Sequence, residues 1–101
     1  MTTRTAITKA KRGAAFLDAK LGRGWRRKIR RRDLDMRQGL YRWQGDCGCI
    51  IAQLYGSYTD GRLDLGVRGR ERAASLGFDR SPRVGYAELT EAWLEVLREK
   101  A

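Results

Sequence analysis

The apolar residues of this chain recur at helical spacing in short segments, and three of those segments end at a glycine. The first segment covers residues 5–21, and Gly22 follows it at the place where a glycine commonly ends a helix. Its apolar positions follow one another at intervals of three and four residues, and are Ile7, Ala10, Ala14, Leu17 and Leu21. This spacing puts them on one face of an α-helix and favours packed short helices over a sheet.

Two central segments show the same arrangement. Asp46 is a good N-cap for a helix over residues 47–55, and Gly56 is a good stop for it. A helix over residues 68–76 would end at Gly77. Both helices are short, so they must be stabilised mainly by tertiary packing of their apolar faces.

The best helix in the sequence is the last one, over residues 86–100. Glutamates lie near its start and cations near its end, which matches the helix dipole. One further turn is expected over residues 60–65, and alternating residues indicate a minor β-hairpin over residues 33–43. The fold class predicted is therefore mainly α: a single small domain of four to five short helices over residues 1–101, in which residues 1–4 could be disordered.

The predicted core joins these helical faces to a tryptophan in the first half of the chain. Trp25 and Ile29 are four residues apart, so a short helix could bury both. The residues expected inside are Phe16, Leu17, Trp25, Ile29, Ile50, Ile51, Leu54, Leu63, Leu76, Phe78, Leu89, Trp93 and Val96.

The charge is concentrated in one half of the chain. Residues 1–45 hold fourteen Lys/Arg and three Asp, whereas residues 46–101 hold eight Lys/Arg and nine Asp/Glu, for a net charge of +10. Seven cations lie within residues 23–32, which we call the basic run, and the predicted basic segment as a whole covers residues 23–43. Such asymmetry suggests a basic binding half on a neutral scaffold, and a polyanion is the expected partner.

Nucleic acid is the partner that this pattern favours most. Arginine forks bind phosphate, and Tyr41 and Trp43 lie beside the basic run, where they could stack on unpaired bases. The predicted nucleic-acid-binding residues are Arg23, Arg26, Arg27, Lys28, Arg30, Arg31, Arg32, Arg37, Arg42, Trp43, Lys9 and Arg12. The alternatives are a protein partner with an acidic surface, a merely solvated face and an anionic membrane surface. A helix-turn-helix is disfavoured, because its recognition helix would carry four glutamates.

The sequence argues against catalysis and metal binding. The chain has no histidine, which removes Ser-His-Asp and Cys-His triads. Two cysteines, Cys47 and Cys49, are too few for a structural zinc site and are expected to pack as small apolar residues. Asp33 and Asp35 could hold Mg²⁺ from one face of a strand, but neighbouring arginines compete for both carboxylates. We expect no enzymatic activity, no cofactor and no metal.

Several segments resemble a family of small proteins without an assigned activity from actinobacteria and their phages, mycobacteriophages included. The resemblance begins near residue 13, and its most specific parts are the segment from Cys47 to Tyr58 and the run Leu89-Thr90-Glu91-Ala92-Trp93. The segments that resemble the family are Gly13-Ala14-Ala15-Phe16-Leu17-Asp18, Gly24-Trp25, Leu34-Asp35-Met36, Cys47-Gly48-Cys49-Ile50-Ile51-Ala52-Gln53-Leu54-Tyr55-Gly56-Ser57-Tyr58, Leu76-Gly77-Phe78-Asp79 and Tyr86-Ala87-Glu88-Leu89-Thr90-Glu91-Ala92-Trp93. This chain departs from the family by its extra arginines over residues 23–32 and by an apparent extension over residues 37–45. No functional residue carries over.

These observations lead to one expectation with one alternative. We expect a non-enzymatic, nucleic-acid-binding accessory or regulatory protein of phage or actinobacterial origin, located in the cytoplasm (the host cytoplasm if phage-encoded) and without integral membrane association. The alternative is a protein-interaction module that captures or inhibits a host protein. That alternative predicts an exposed tryptophan beside the basic run, with Trp43 as the best candidate.

Overall fold

The computed structural model describes residues 3–36 and 49–99. Within those ranges the chain forms five α-helices and two 3-10 helices. They are α1 (Arg4–Leu21), η1 (Arg23–Lys28), η2 (Arg31–Asp33), α2 (Ile50–Tyr55), α3 (Tyr58–Leu65), α4 (Arg70–Ser75) and α5 (Tyr86–Glu99). The mainly α fold class is confirmed.

The β-structure of the described ranges is a single antiparallel bridge between Ser81 and Val84. Most of the hairpin expected over residues 33–43 lies outside the described residues. Its first residue, Asp33, belongs to η2 and not to a strand.

Helix α1 packs more extensively against α5 than against any other element in the described part of the chain. The Thr3 hydroxyl caps α1 by accepting a hydrogen bond from the Ala6 N–H at 3.1 Å, and the helix begins at Arg4. Gly13 faces α5, and a Cβ at this position would lie only 2.7 Å from Cζ2 of Trp93 and would also overlap the Leu76 carbonyl oxygen. A glycine is therefore what lets the two helices approach this closely.

Trp93 is at the centre of the core. It is fully buried, and its indole N–H donates to the Gly77 carbonyl oxygen at 2.7 Å, so its one polar group is satisfied. Its ring stacks on Phe78 at a centroid distance of 5.8 Å and meets Trp25 edge-on at 6.2 Å. These contacts join α1, η1, α5 and the end of α4 into one hydrophobic cluster.

Glycines end three of the helices as the sequence indicated. Gly56 ends α2 in the left-handed conformation. Helix α4 ends in a Schellman motif, in which the Gly77 N–H donates to the Ala74 carbonyl and the Phe78 N–H to the Ala73 carbonyl. The predicted place of Phe78 beside this stop is confirmed, and its side chain is fully buried. Helix α1 ends before Gly22, whose φ of 76° favours glycine.

The prediction that Leu63 lies in the core is wrong. The residue is 63% exposed, because Gly61 and Leu65, four residues apart, form the buried side of α3 and Leu63 lies on the opposite side. Phe16 and Leu54 are only partly buried and pack against the edge of the core. The other ten predicted core residues are buried.

The start of α2 also differs from the prediction. The sequence favoured a helix from Cys47 with Asp46 as its cap, and both of these residues lie outside the described ranges. The structure begins α2 at Ile50, with Cys49 as the N-cap whose sulfur accepts a hydrogen bond from the Ala52 N–H at 3.4 Å. The Cys49 side chain is fully buried, as expected for a cysteine packed as a small apolar residue.

Candidate nucleic-acid interface

The basic run leaves α1 at Gly22 and is held against the scaffold by apolar side chains. Trp25 and Ile29 are both buried, as their spacing predicted, but through η1 and the residue that follows it rather than through an α-helical turn. Leu34 is the next buried residue along the chain. This segment therefore contacts the core at Trp25, Ile29 and Leu34, which are four and five residues apart. The cations lie between these buried residues.

Asp18 on α1 fixes the start of the segment. Its Oδ1 accepts hydrogen bonds from the Trp25 indole N–H at 2.8 Å and from Arg26 Nη2 at 3.2 Å, and its Oδ2 accepts from the same Arg26 nitrogen at 3.0 Å. The Arg26 guanidinium also lies over the Trp25 ring at 4.8 Å. Two side chains of η1 are thus tied to one carboxylate.

The environment of Asp18 favours its charged form. Burial alone would raise the pKa of this carboxyl, but hydrogen bonds from Trp25 and Arg26 and the charges of Arg26 and Arg23 outweigh burial and lower the pKa. Arg26 is largely buried, with 13% of its side chain exposed. We therefore treat Arg26, one of the predicted binding residues, as a residue that positions η1.

Gln53 on α2 fixes the other end of the segment. Its side-chain oxygen accepts a hydrogen bond from the Arg30 backbone N–H at 2.6 Å, and its side-chain nitrogen donates to the Arg30 carbonyl at 3.3 Å. The amide of one side chain thus satisfies both backbone groups of Arg30. The Arg30 side chain remains outside and forms an ion pair with Asp33 at 3.4 Å, in which both partners are mostly exposed.

Six cations of the run point into solvent, and we call them the cationic surface: Arg23, Arg27, Lys28, Arg30, Arg31 and Arg32. Apart from Arg30, none of them forms an ion pair within the described part of the chain. The backbone of η1 spans roughly 10 Å at the 3-10 rise of about 2 Å per residue, which is close to a Debye length of about 8 Å at physiological salt. The potentials of the three exposed cations in η1, Arg23, Arg27 and Lys28, therefore overlap at physiological salt.

A shallow cleft of about 300 Å³ opens beside the cationic surface. It lies between the end of α1, η1 and α2, with Lys28 at its edge and Leu21, 41% exposed, on its wall. Gly24 also lines it, and a Cβ at Gly24 would meet no heavy atom within 4 Å. The cleft thus gives an apolar group a place next to the cations.

The remaining predicted site residues within the described ranges, Lys9 and Arg12, both lie on α1. The Lys9 ammonium donates to the Ala74 carbonyl of α4 at 3.4 Å. Lys9 is nine residues from Asp18, which is two and a half helical turns, so the two side chains leave α1 on opposite sides. Arg12 is exposed on α1. Arg37, Arg42 and Trp43 lie outside the described residues.

Sequence reasoning missed the two residues that hold the run. Asp18 lies on the face of α1 that also carries Leu17 and Leu21, so a polar partner for a buried tryptophan could have been sought there. Gln53 had no signal, because it is 23 residues from Arg30 and acts on the backbone. Neither residue carries an exposed charge, but both determine where the charges of the run lie.

No group of three or more His, Cys, Asp or Glu residues in residues 3–36 and 49–99 is arranged to hold a metal ion. None of the helices described above is both long and apolar enough to cross a bilayer.

No family model, curated protein or solved structure matches the chain. The resemblance to the actinobacterial and phage family therefore stays a prediction.

Proposed function

We propose that the protein binds nucleic acid through the cationic surface, as an accessory or regulatory protein of the phage or actinobacterial kind that the sequence resembles. One observation carries the proposal: six exposed cations lie on a backbone that is fastened by Trp25, Ile29 and Gln53, and five of the six have no ion pair in the described part of the chain. Arginine guanidiniums bind phosphate with two parallel hydrogen bonds, which suits this surface to a phosphate backbone.

The fastened backbone distinguishes this surface from an ordinary solvated face. Unpaired like charges that lie close together oppose folding, and a chain without a polyanionic partner would gain stability by losing or pairing them. Neutralising them with phosphates releases the condensed counterions of the nucleic acid, which favours binding. The cleft beside Lys28 gives an unpaired base a place to lie, which supports single strands as ligands.

The salt dependence of binding tests the proposal. If each of the six cations neutralises one phosphate, the log–log slope of affinity against salt is about −5 on duplex DNA and about −4 on a single strand. Fluorescence anisotropy with a labelled oligonucleotide between about 50 and 300 mM salt measures it. A slope near zero, or no binding at low salt, would contradict the proposal.

Two variants with equal net charge separate a specific surface from general electrostatics. Changing Arg27, Arg31 and Arg32 to Gln removes three cations of the surface and should lower the slope by about three and the affinity at 0.1 M salt by on the order of 100-fold. Changing the exposed Arg4, Arg68 and Arg98 to Gln removes the same charge elsewhere and should change the slope by less than one. Equal losses in both variants would show that net charge alone drives binding.

A pull-down from nuclease-treated bacterial lysate distinguishes nucleic acid from a protein partner. We expect the molecules that co-purify with the wild-type protein to disappear after nuclease treatment. The variant that lacks Arg27, Arg31 and Arg32 should fail to retain them even without nuclease. Protein partners that survive nuclease and still depend on these arginines would favour the protein-interaction alternative.

A further inference from the structure

A second cleft in the described part of the chain is lined by none of the residues of the cationic surface. It has a volume of about 820 Å³ and opens between α1, α4, the loop after α4 and the first turn of α5. The charged side chains that line it are four cations and two carboxylates: Lys9, Arg70, Arg80, Arg83, Glu71 and Glu88. The proposed nucleic-acid interface does not use any of them.

A rigid turn holds the two arginines on one wall of this cleft. The Ser81 N–H donates to the Val84 carbonyl at 2.9 Å and the Val84 N–H donates back to the Ser81 carbonyl at 3.2 Å. Pro82 fixes φ within the turn, and the Val84 side chain is buried in the core. Arg80 and Arg83 therefore lie on either side of Pro82 on a turn that is anchored from below.

A buried carboxylate fixes the geometry beneath the cleft. Asp79 is only 7% exposed, and its Oδ1 accepts hydrogen bonds from the Arg80 backbone N–H at 2.8 Å and from the Tyr86 hydroxyl at 3.0 Å. Its Oδ2 forms an ion pair with Arg70 at 3.5 Å. Asp79 thus neutralises Arg70. Its carboxylate forms no ion pair with Arg80 or Arg83, and both of these arginines are exposed.

The cations that remain have few competitors inside the protein. The Arg80 guanidinium lies over the Tyr86 ring at 5.7 Å, and Lys9 donates one hydrogen bond to a backbone carbonyl. Arg83 is exposed and has no ion pair in the described ranges. Both carboxylates line the cleft, and Glu71 is the more accessible of the two, since Glu71 is exposed and Glu88 is half-buried. The lining carries an excess of two positive charges, which falls to one when the Asp79 carboxylate that pairs with Arg70 is counted.

We infer that this cleft is a binding site for a phosphomonoester. A phosphomonoester carries a charge of nearly −2 at neutral pH and three acceptor oxygens, which matches two arginine forks and an ammonium group better than a single carboxylate does. The cleft is also large enough to take the group that bears the phosphate. This inference does not rest on the proposed nucleic-acid function.

Titration with inorganic phosphate at constant ionic strength tests the site. We expect saturable shifts in the amide NMR spectrum that are confined to residues near Lys9, Arg70 and the turn at 81–84. Arg83→Gln should weaken binding about tenfold or more, since it removes charge-assisted hydrogen bonds. Glu71→Gln should strengthen binding, because it removes the more accessible carboxylate.

The matched control is Arg98→Gln, which removes an exposed arginine outside both the cationic surface and this cleft and should leave phosphate binding unchanged. Shifts that grow linearly without saturation, or that follow every exposed arginine, would overturn the site. An Arg83→Gln protein that keeps its native spectrum and binds phosphate as tightly as the wild type would overturn it too.

A second set of ligands identifies the source of the phosphate. A nucleoside 5′-monophosphate tests a free phosphorylated metabolite, and a 5′-phosphorylated oligonucleotide compared with its 5′-hydroxyl form tests a strand end. Tighter binding of either phosphorylated ligand that is lost in Arg83→Gln supports the site and names its source. If neither ligand binds at concentrations at which inorganic phosphate saturates the site, the cleft holds an adventitious ion only, and the proposal is overturned.

Discussion

Asp18→Asn should destabilise the protein by about 2 kcal/mol at pH 7. The carboxylate accepts three hydrogen bonds from two side chains of η1, and the asparagine keeps an oxygen for the Trp25 indole but loses the charge that faces Arg26. Charge-assisted hydrogen bonds contribute about 1.5–3 kcal/mol each in net terms, and 29% exposure of the Asp18 side chain reduces that figure. For a chain of this size, 2 kcal/mol corresponds to a fall in Tm of on the order of 10 °C.

The effect should depend on pH in a defined direction. The pKa of Asp18 is lowered in the folded state, so its charge contributes stability that is present above its unfolded pKa of about 3.9 and is lost as pH falls through the folded pKa. A protonated aspartate resembles asparagine in shape and charge. The difference in unfolding free energy between wild type and Asp18→Asn should therefore be constant near neutral pH and shrink towards zero in acid.

Urea denaturation followed by tryptophan fluorescence measures this difference at a series of pH values. Asp33→Asn is the matched control, because it breaks an Arg–Asp ion pair whose side chains are 77% and 56% exposed. Exposed pairs contribute little, so this change should stay below about 1 kcal/mol. An Asp18→Asn protein as stable as wild type at pH 7, or a difference that does not change in acid, would refute the role given to Asp18.

Two further substitutions test the packing of the core. Trp93→Ala removes a fully buried ring that stacks on Phe78 and should lower the unfolding free energy by roughly 3–5 kcal/mol, which thermal denaturation followed by circular dichroism would record as a large fall in Tm or loss of the transition; a normal Tm would show that the core is misplaced. Gly13→Ala should also destabilise, by about 1–3 kcal/mol, because its Cβ would overlap Trp93, whereas Gly24→Ala, with no heavy atom within 4 Å of its Cβ, should stay within about 0.5 kcal/mol of wild type. Equal effects at the two glycines in the same assay would contradict the close approach of α1 and α5.

The parts of the fold that follow from neighbouring residues could be predicted from the sequence. The apolar spacing along α1 and α5 and the glycine after α4 each depend on positions within a turn or two of one another. Leu63 shows where this reasoning stops. Helix α3 carries few apolar residues, and its inward positions include Gly61, which has no side chain to mark the buried face and which packs against Tyr55 and Ile51.

The candidate sites depend on contacts that a local pattern does not contain. The sequence located the basic run, but the charges face outward because Asp18 and Gln53 hold the backbone from two other helices. The second cleft unites Lys9 with arginines more than sixty residues further along, so it exists only once α1 lies beside α4. Lys9 was assigned to the basic run because it is near in sequence, and the turn of α1 puts it on the other side of the helix.

The cationic surface and the two clefts place many unpaired cations on a protein with a small core. In the basic run, buried side chains alternate with exposed cations. Trp25 and Ile29 bury apolar area, and Asp18 forms an ion pair with Arg26, the one arginine of the run that lies partly inside. The repulsion among the exposed cations is then a cost that burial of Trp25 and Ile29 must offset in the free protein. A bound polyanion would remove that cost, and this relief is part of the binding free energy, so the free energy of unfolding should rise with ligand concentration through the mass-action effect of binding. Local arrangements that lower stability and that a ligand would relieve are typical of functional surfaces.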